Sequence, residues 1–482
     1  MNETYLAIDL GASSGRTMAG FIENEQLKLR EVNRFWNGGI ALHNTLHWDF
    51  LHLYRHLREG ISLASAQTPI RSLAIDTWGV DFGLLNAQGN LIENPVHYRD
   101  SRTNGMFDAL FQKIPREKIF EQTGIQLMEI NTLYQLYALA MQQDNAYEQA
   151  ETLLFSPDLL TYWLTGKKIA ERTIASTSQC YNPSTGTWAH ELLDAAQIRH
   201  DLFGELTNPG TLIGSTDGIS VIAGAGHDTA CAFAAAPKQP HENAALLSSG
   251  TWSLLGCELK QPLINDDVLA HNFTNEVGVC DTIRFLKNLN GLWIIQELHR
   301  VWKEAGYTYT FSEMVKMAEI AQPFFAYINP SDESFFSPGD MHQRILDYCS
   351  KTDQPIPSDH GQVIRIAYEG LALMYAETLD ELERLTSQSF YSIHVIGGGS
   401  RNQLLNQMTA DATNRTVHSG PAEATAIGNC LVQMIALGDL PNLDAGRELV
   451  RASFGDEIYH YNPSDHEAWR SARKQAKQYP SQ

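Results

Sequence analysis

The chain has 482 residues, 43% of them hydrophobic and 19% charged, with 35 glycines and 18 prolines. These are globular proportions; they exclude global disorder, collagen and coiled coil, and the length suffices for two or three domains whose cores need no disulfide or metal. Lys and Arg number 35 against 56 Asp and Glu, a formal charge of −21, so a phosphate backbone is repelled and a general nucleic-acid binder is excluded.

In chain order, the first strand signal is Tyr5-Leu6-Ala7-Ile8, ending on Asp9. The turn Gly11-Ala12-Ser13-Ser14-Gly15 and a second apolar run over 16–22 follow it. Strand, small polar turn and strand make a hairpin signal. A similar unit recurs as Leu73-Ala74-Ile75-Asp76, Thr77-Trp78-Gly79 and the run 80–85. It returns as Ala245-Leu246-Leu247, Ser248-Ser249-Gly250-Thr251 and the run 252–256, which predicts two related halves. Between these units the period turns helical. Residues 49–66 place Phe50, Leu53, Leu57, Ile61 and Ala64 on one face behind an aspartate cap. The segment 363–385 predicts a longer helix, 393–396 a buried strand, and 402–413 a further helix after Gly397-Gly398-Gly399. Strands alternating with helices predict α/β layering. The Pro- and charge-rich stretch 237–242 is the expected connector between domains 1–238 and 239–482. Residues 318–357, with prolines at 323, 330, 338, 355 and 357, read as loop.

The cysteines at 180, 231, 257, 280, 349 and 430 form no CxxC pair, so free thiols in a reducing compartment are expected. The amino-terminal residues lack a basic-then-apolar leader, and no run reaches the ~18 apolar residues of a membrane span. A cytoplasmic protein without a membrane partner is the expectation.

The polar turns carry the chemistry. Small residues in the first turn let backbone N–H groups converge on an anion. Ser13 and Ser14 add hydroxyls, Arg16 adds a charge that can fork onto phosphate oxygens, and Asp9 is placed for a hydrated Mg²⁺. Alone, such a turn could be only a turn. Ser249-Gly250-Thr251 offers a second tip in the other half, and two facing tips can grip a triphosphate. GxxxxGK[ST] is absent, so this is no P-loop protein. Asp228 follows Ala223-Gly224-Ala225-Gly226-His227 and opens an Ala-rich helix. From the residues alone it is either a carboxylate that orients an attacking hydroxyl or a helix cap.

Asp9-Leu10-Gly11-Ala12-Ser13-Ser14-Gly15-Arg16 resembles the first phosphate motif of the FGGY carbohydrate kinases. These share the actin-like (ribonuclease H-like) ATPase fold, a two-domain α/β architecture with a catalytic cleft between the domains. Ile75-Asp76-Thr77-Trp78-Gly79-Val80-Asp81-Phe82, Tyr98-Arg99-Asp100-Ser101-Arg102-Thr103, His227-Asp228-Thr229 and the segment 247–254 extend the resemblance in the family's order. It implies ATP as co-substrate with Mg²⁺, and phosphorylation of L-rhamnulose at its 1-hydroxyl. L-Fuculose or D-xylulose are alternative acceptors; a chaperone-like ATPase indifferent to sugar is the rival of a different class. By resemblance Asp228 is the catalytic base, and Gly79, His227, Asp228, Thr229 and Asn288 contact the sugar. Ala12, Ser13, Ser14, Gly15, Arg16, Thr251, Gln296 and Gly398 contact the nucleotide, and 420–429 lines the adenine side. Domain 1–238 would carry sugar and base, and 239–482 most of the nucleotide site. Trp78 could stack on a sugar or belong to the core; Asp81 and Arg102 lie in matching motifs.

Overall fold

The structure, a computed structural model, describes residues 3–479. The chain divides into two compact units. One comprises the residues up to Pro240 with Glu258–Phe285 and Ala424–Gly455; the other comprises His241–Cys257, Leu286–Glu423 and the residues from Asp456 on. The chain first passes from one unit to the other at 240/241, inside the expected connector. The passages at 257/258 and 285/286 run within continuous strands, where composition offers no linker to detect.

The first unit is built on β1 (Thr4–Leu10), β2 (Ser14–Glu23), β3 (Gln26–Trp36), β4 (Ile70–Thr77), β5 (Phe82–Leu85), β6 (Thr152–Phe155), β7 (Thr211–Thr216) and β8 (Ile219–Ala223). Its main sheet has the order β7-β8-β4-β1-β2-β3. β1 and β2 form the expected antiparallel hairpin, while β1 with β4 and β4 with β8 are parallel. Helix α1 (Phe50–Ser65) buries the predicted Phe50, Leu53, Leu57, Ile61 and Ala64, and Asp49 accepts from the His52 N–H at 3.0 Å as its cap. Burying each large apolar side chain there stabilises the unit by roughly 1.5–3 kcal/mol relative to exposure.

The second expected hairpin does not form: β5 pairs with β6, not with β4. The intervening turn is pulled inward instead. Val80 sits at φ 67, a rare conformation for a β-branched residue. It is held by Thr132 Oγ1, which donates to its carbonyl at 2.6 Å, and by Thr177 Oγ1, which accepts its N–H at 3.1 Å. Asp81 follows it into the interior, where one oxygen accepts from Trp48 Nε1 at 2.6 Å, Trp78 Nε1 at 2.9 Å and the Tyr98 N–H at 3.2 Å. Burial raises its proton affinity to about 6, against the pull of these bonds and of Arg102. Trp78 is a core residue, 6% exposed and stacked on Trp48 with ring centroids 3.9 Å apart.

After β8, α2 (Asp228–Ala234) packs on the helix Ala424–Ala436 of the same unit. Their closest approach is at Gly428, where an added Cβ would run into the Cys231 carbonyl and its Cα at 3.0 Å. Gly428→Ala is therefore expected to cost about 3 kcal/mol, because a backbone rather than a rotamer must yield. Displacement of α2 should lower turnover in the same variant. Denaturant midpoints and kcat, measured together, check this.

The second unit holds β9 (Ala244–Ser249), β10 (Trp252–Leu259), β11 (Ile283–Asn290), β12 (Ser392–Ile396), β13 (Thr416–Ser419) and β14 (Tyr459–Tyr461), in the order β11-β10-β9-β12-β13-β14. β9 and β10 form the third expected hairpin. Helices α3 (Trp293–Glu304), α4 (His360–Thr386) and α5 (Gln403–Thr413) accompany the sheet, α4 and α5 where periodicity places them. The segment 318–357 is less loop-like than its prolines suggest. It contains the end of the helix Phe311–Ile320 and the whole helix Met341–Lys351, which buries Met341, Ile345, Tyr348 and Cys349. The prolines flank that helix and do not interrupt it. No disulfide joins the six cysteines, of which five are buried and Cys280 is exposed. Among the described residues no helix is long and apolar enough to cross a membrane.

Candidate active site

Three carboxylates gather at one edge of the first unit's sheet. β1 and β4 run parallel with Asp9 opposite Asp76, so both acids stand at carboxyl ends of neighbouring strands. β8 lies on the other side of β4, and the chain leaving it reaches Asp228 after five residues, with the Thr77 N–H donating to the Gly226 carbonyl at 2.9 Å. The carboxyl ends of strands in an open α/β sheet are where ligands bind.

Each acid has a different setting. Asp9 Oδ2 accepts from Arg16 Nε at 2.9 Å and Nη2 at 2.7 Å, so this guanidinium, expected to fork onto phosphate, forks onto Asp9. Asp76 is fully buried; one oxygen accepts from Asn429 Nδ2 at 2.6 Å and the other has no hydrogen-bond partner. Burial, then the negative charges of Asp9 and Asp228, raise its proton affinity well above the ordinary value of 3.8, against the pull of Asn429 and Arg16. An orphaned buried carboxylate oxygen between two further carboxylates fits a hydrated dication, which needs few protein oxygens. Asp76 thus joins Asp9 as a residue that could hold Mg²⁺.

The sign of the Asp76 shift sets a test. Its folded state binds the proton more tightly than the unfolded chain, so ligand-free stability falls as pH rises above 3.8. Asp76→Asn should raise the thermal midpoint at pH 8 and flatten that pH dependence. It should also lower Mg²⁺-dependent turnover at least ~10-fold, since a neutral amide neither repels its neighbours nor holds a cation. Thermal scans across pH and a Mg²⁺ titration of turnover measure both.

Asp228 is the first residue of α2, and its side chain is 31% exposed. The helix is capped at His227 without a side-chain hydrogen bond, so Asp228 does not serve as its cap. Its Oδ1 accepts from Thr229 Oγ1 at 3.0 Å and lies 3.4 Å from His227 Nε2. His227 is clasped from behind. Arg284 Nη2 is 3.1 Å from His227 Nδ1, and Glu276 Oε2 is 3.3 Å from that same nitrogen and 2.9 Å from Arg284 Nη1. Nδ1 thus faces a guanidinium and a carboxylate together, which hold the ring with Nε2 toward Asp228. Glu171, buried beneath, accepts from the Gly226 N–H at 2.9 Å and from Thr173 Oγ1 at 2.6 Å, which fixes the turn ahead of Asp228. Gly79 lies in the turn after β4, where an added Cβ would press on Thr177 Oγ1 at 3.1 Å. Gly79, His227, Asp228 and Thr229 belong to the first unit; Asn288, half-buried on β11, belongs to the second.

The nucleotide candidates fall in both units. Ala12 and Ser13 lie in the turn between β1 and β2, tied down by Gly11 N–H to Ser14 carbonyl at 2.9 Å and Asn37 N–H to Ser13 carbonyl at 3.2 Å. Gly15 has a packing reason of its own, since a Cβ there would strike the Phe35 ring. In the second unit Thr251 stands at the tip of the β9–β10 hairpin and donates to Gln296 Oε1, on α3, at 3.1 Å. Gly291 lets these elements meet: a Cβ there would lie 2.8 Å from the Gly250 carbonyl. β12 runs parallel to β9, which sets Gly397, at φ 84, against Ser249. Gly398 has open space where a Cβ would be, so its backbone is bare to a ligand.

A model of the N-terminal domain of the FGGY family of carbohydrate kinases matches residues 4–236, and one of the C-terminal domain matches 245–437. The chain belongs to the FGGY family of carbohydrate kinases. This FGGY kinase is 43% identical to a rhamnulokinase of Bacteroides thetaiotaomicron over 483 residues, 98% of each chain. It is 40% identical to one of Enterococcus faecalis over 477 residues, 96% of this chain and 95% of that one. Among solved structures it resembles gluconate kinase of Lactobacillus acidophilus, with a TM-score of 0.80 at 15% identity over 99% and 97% of the two chains. Plasmodium falciparum glycerol kinase with ADP gives 0.77 at 16% identity over 100% and 99%. The FGGY kinase shares the two-domain α/β fold of these sugar kinases.

Several residues of this FGGY kinase's site escape sequence reasoning. Asp76 carried a usable signal, because Ile75-Asp76 repeats the strand-end pattern of Ile8-Asp9. Glu171, Glu276 and Arg284 carried none, each reaching these residues from a distant strand, whereas Asn429 ends the segment 420–429 that was expected beside the adenine and instead bonds Asp76.

Proposed function

We propose that this kinase transfers the γ-phosphoryl group of ATP to the 1-hydroxyl of L-rhamnulose, giving L-rhamnulose 1-phosphate and ADP. The observation that carries this reading is the end-to-end similarity to rhamnulokinases; the likeness to other sugar kinases extends only to the fold. In this reading Asp228 accepts the proton of the 1-hydroxyl as that oxygen attacks, and His227, Thr229, Asn288 and the backbone at Gly79 hold the ketose. The amides and hydroxyls of residues 12–16, with Thr251, Gln296 and Gly398, hold the nucleotide. Asp9 and Asp76 would hold Mg²⁺, which supplies charge neutralisation for the transferring phosphoryl group. Arg16 would release Asp9 for phosphate as ATP binds. A cytoplasmic location, where ATP is at hand, is part of this reading. ADP release from ATP and Mg²⁺, with and without L-rhamnulose, tests the reading; turnover that no ketose stimulates would leave only an ATPase.

A further inference from the structure

Away from these residues, the far edge of the second unit's sheet carries a ladder of imidazoles. Register places His394 on β12 opposite His418 on β13, and His418 opposite His460 on β14. Directly opposed residues share a face, and the ring centroids follow at 4.9 Å and 4.8 Å. Glu242, just ahead of β9, joins them: its Oε1 is 3.0 Å from His394 Nε2 and also accepts from Ser392 Oγ at 2.7 Å. One potential ligand atom from each of Glu242, His394 and His418 lies within 4.8 Å of the others.

His394 is 4% exposed, and its Nε2 and Glu242 Oε1, 3.0 Å apart, can face one ion together. His418 Nδ1 lies 2.6 Å from His460 Nδ1, a spacing two nitrogens keep only with a proton or a cation between them. Imidazole-rich donor sets suit zinc, copper and nickel and not magnesium.

We propose that His394, His418 and Glu242, with His460 at the exposed side, form a binding site for a transition-metal dication of the zinc class. The ion would fasten β14, three residues long, to the sheet it edges. Untagged protein, stripped with chelator, is titrated with ZnCl₂ calorimetrically in millimolar Mg²⁺, and with CoCl₂ spectroscopically. One ion per chain is expected, with the visible bands of four-coordinate cobalt and a zinc-dependent rise in thermal midpoint. His418→Asn should weaken zinc at least ~10-fold and abolish that rise, with turnover in Mg²⁺ unchanged. His460→Ala, at an exposed position, is the second variant should His418→Asn not fold, and the same loss is expected of it. Absence of stoichiometric zinc, or undiminished affinity in the variant that folds, would overturn the proposal.

Discussion

Asp228→Asn is expected to lower kcat by a factor of about 10²–10⁴, the range for loss of a positioned general base. The amide keeps the size of the side chain and can still meet Thr229 Oγ1, but it cannot take a proton from the attacking hydroxyl. Little else should change. Asp228 is not the cap of α2, so the helix loses no terminal hydrogen bond, and the turn ahead of it is held by Glu171 through Gly226. KM for ketose and ATP should therefore stay within a few-fold while kcat falls, the signature of an interaction made in the transition state. Steady-state kinetics with a thermal scan separates this from misfolding. Wild-type turnover in a folded variant would remove Asp228 from the role.

The second large effect is expected in kcat/KM across ketoses at saturating ATP and Mg²⁺. L-Fuculose differs from L-rhamnulose only in hydroxyl configuration, yet it should be disfavoured by about 10² or more. A site that hydrogen-bonds particular hydroxyls rejects an epimer because its own buried groups are then left unpaired. His227 cannot turn to suit another hydroxyl, since Arg284 and Glu276 hold its Nδ1 side and leave Nε2 facing Asp228. D-Xylulose, lacking the terminal methyl carbon, and glycerol, which fills little of the site, should also fall behind. Preference for L-fuculose or D-xylulose would keep the kinase and its base but change the substrate.

What the sequence reveals is what neighbouring residues decide among themselves. The apolar stripe of α1, its Asp49 cap and the hairpins at either side of 11–15 and 250–251 are local events, and they stand where the pattern places them. The run 80–85 shows the limit. Its alternation reads as a strand, but pairing with β6 is decided by Thr132, Thr177 and the tryptophan bonds to Asp81, all distant in sequence. The site divides in the same way. Asp9, Asp228 and the small-residue turns announce themselves because glycine and serine around a strand end are conspicuous. Arg284 behind His227 and Glu171 under the turn are ordinary residues made specific by the fold alone.

The three-segment make-up of the first unit bears on how the molecule is made. Asn429 and Gln433 reach back into the sheet built from residues 4–77: Ser72 Oγ donates to Gln433 Oε1 at 2.6 Å, and Gln433 Nε2 donates to the Leu6 carbonyl at 3.0 Å. On the ribosome these partners follow residue 240 by roughly ten to forty seconds. Throughout that interval the nascent sheet carries Asp76 without its amide and α2 without its covering helix, so an apolar face stays open to aggregation or to a chaperone. The unit bearing the carboxylates is the first to be started and cannot be finished until the segment 424–455 has been translated.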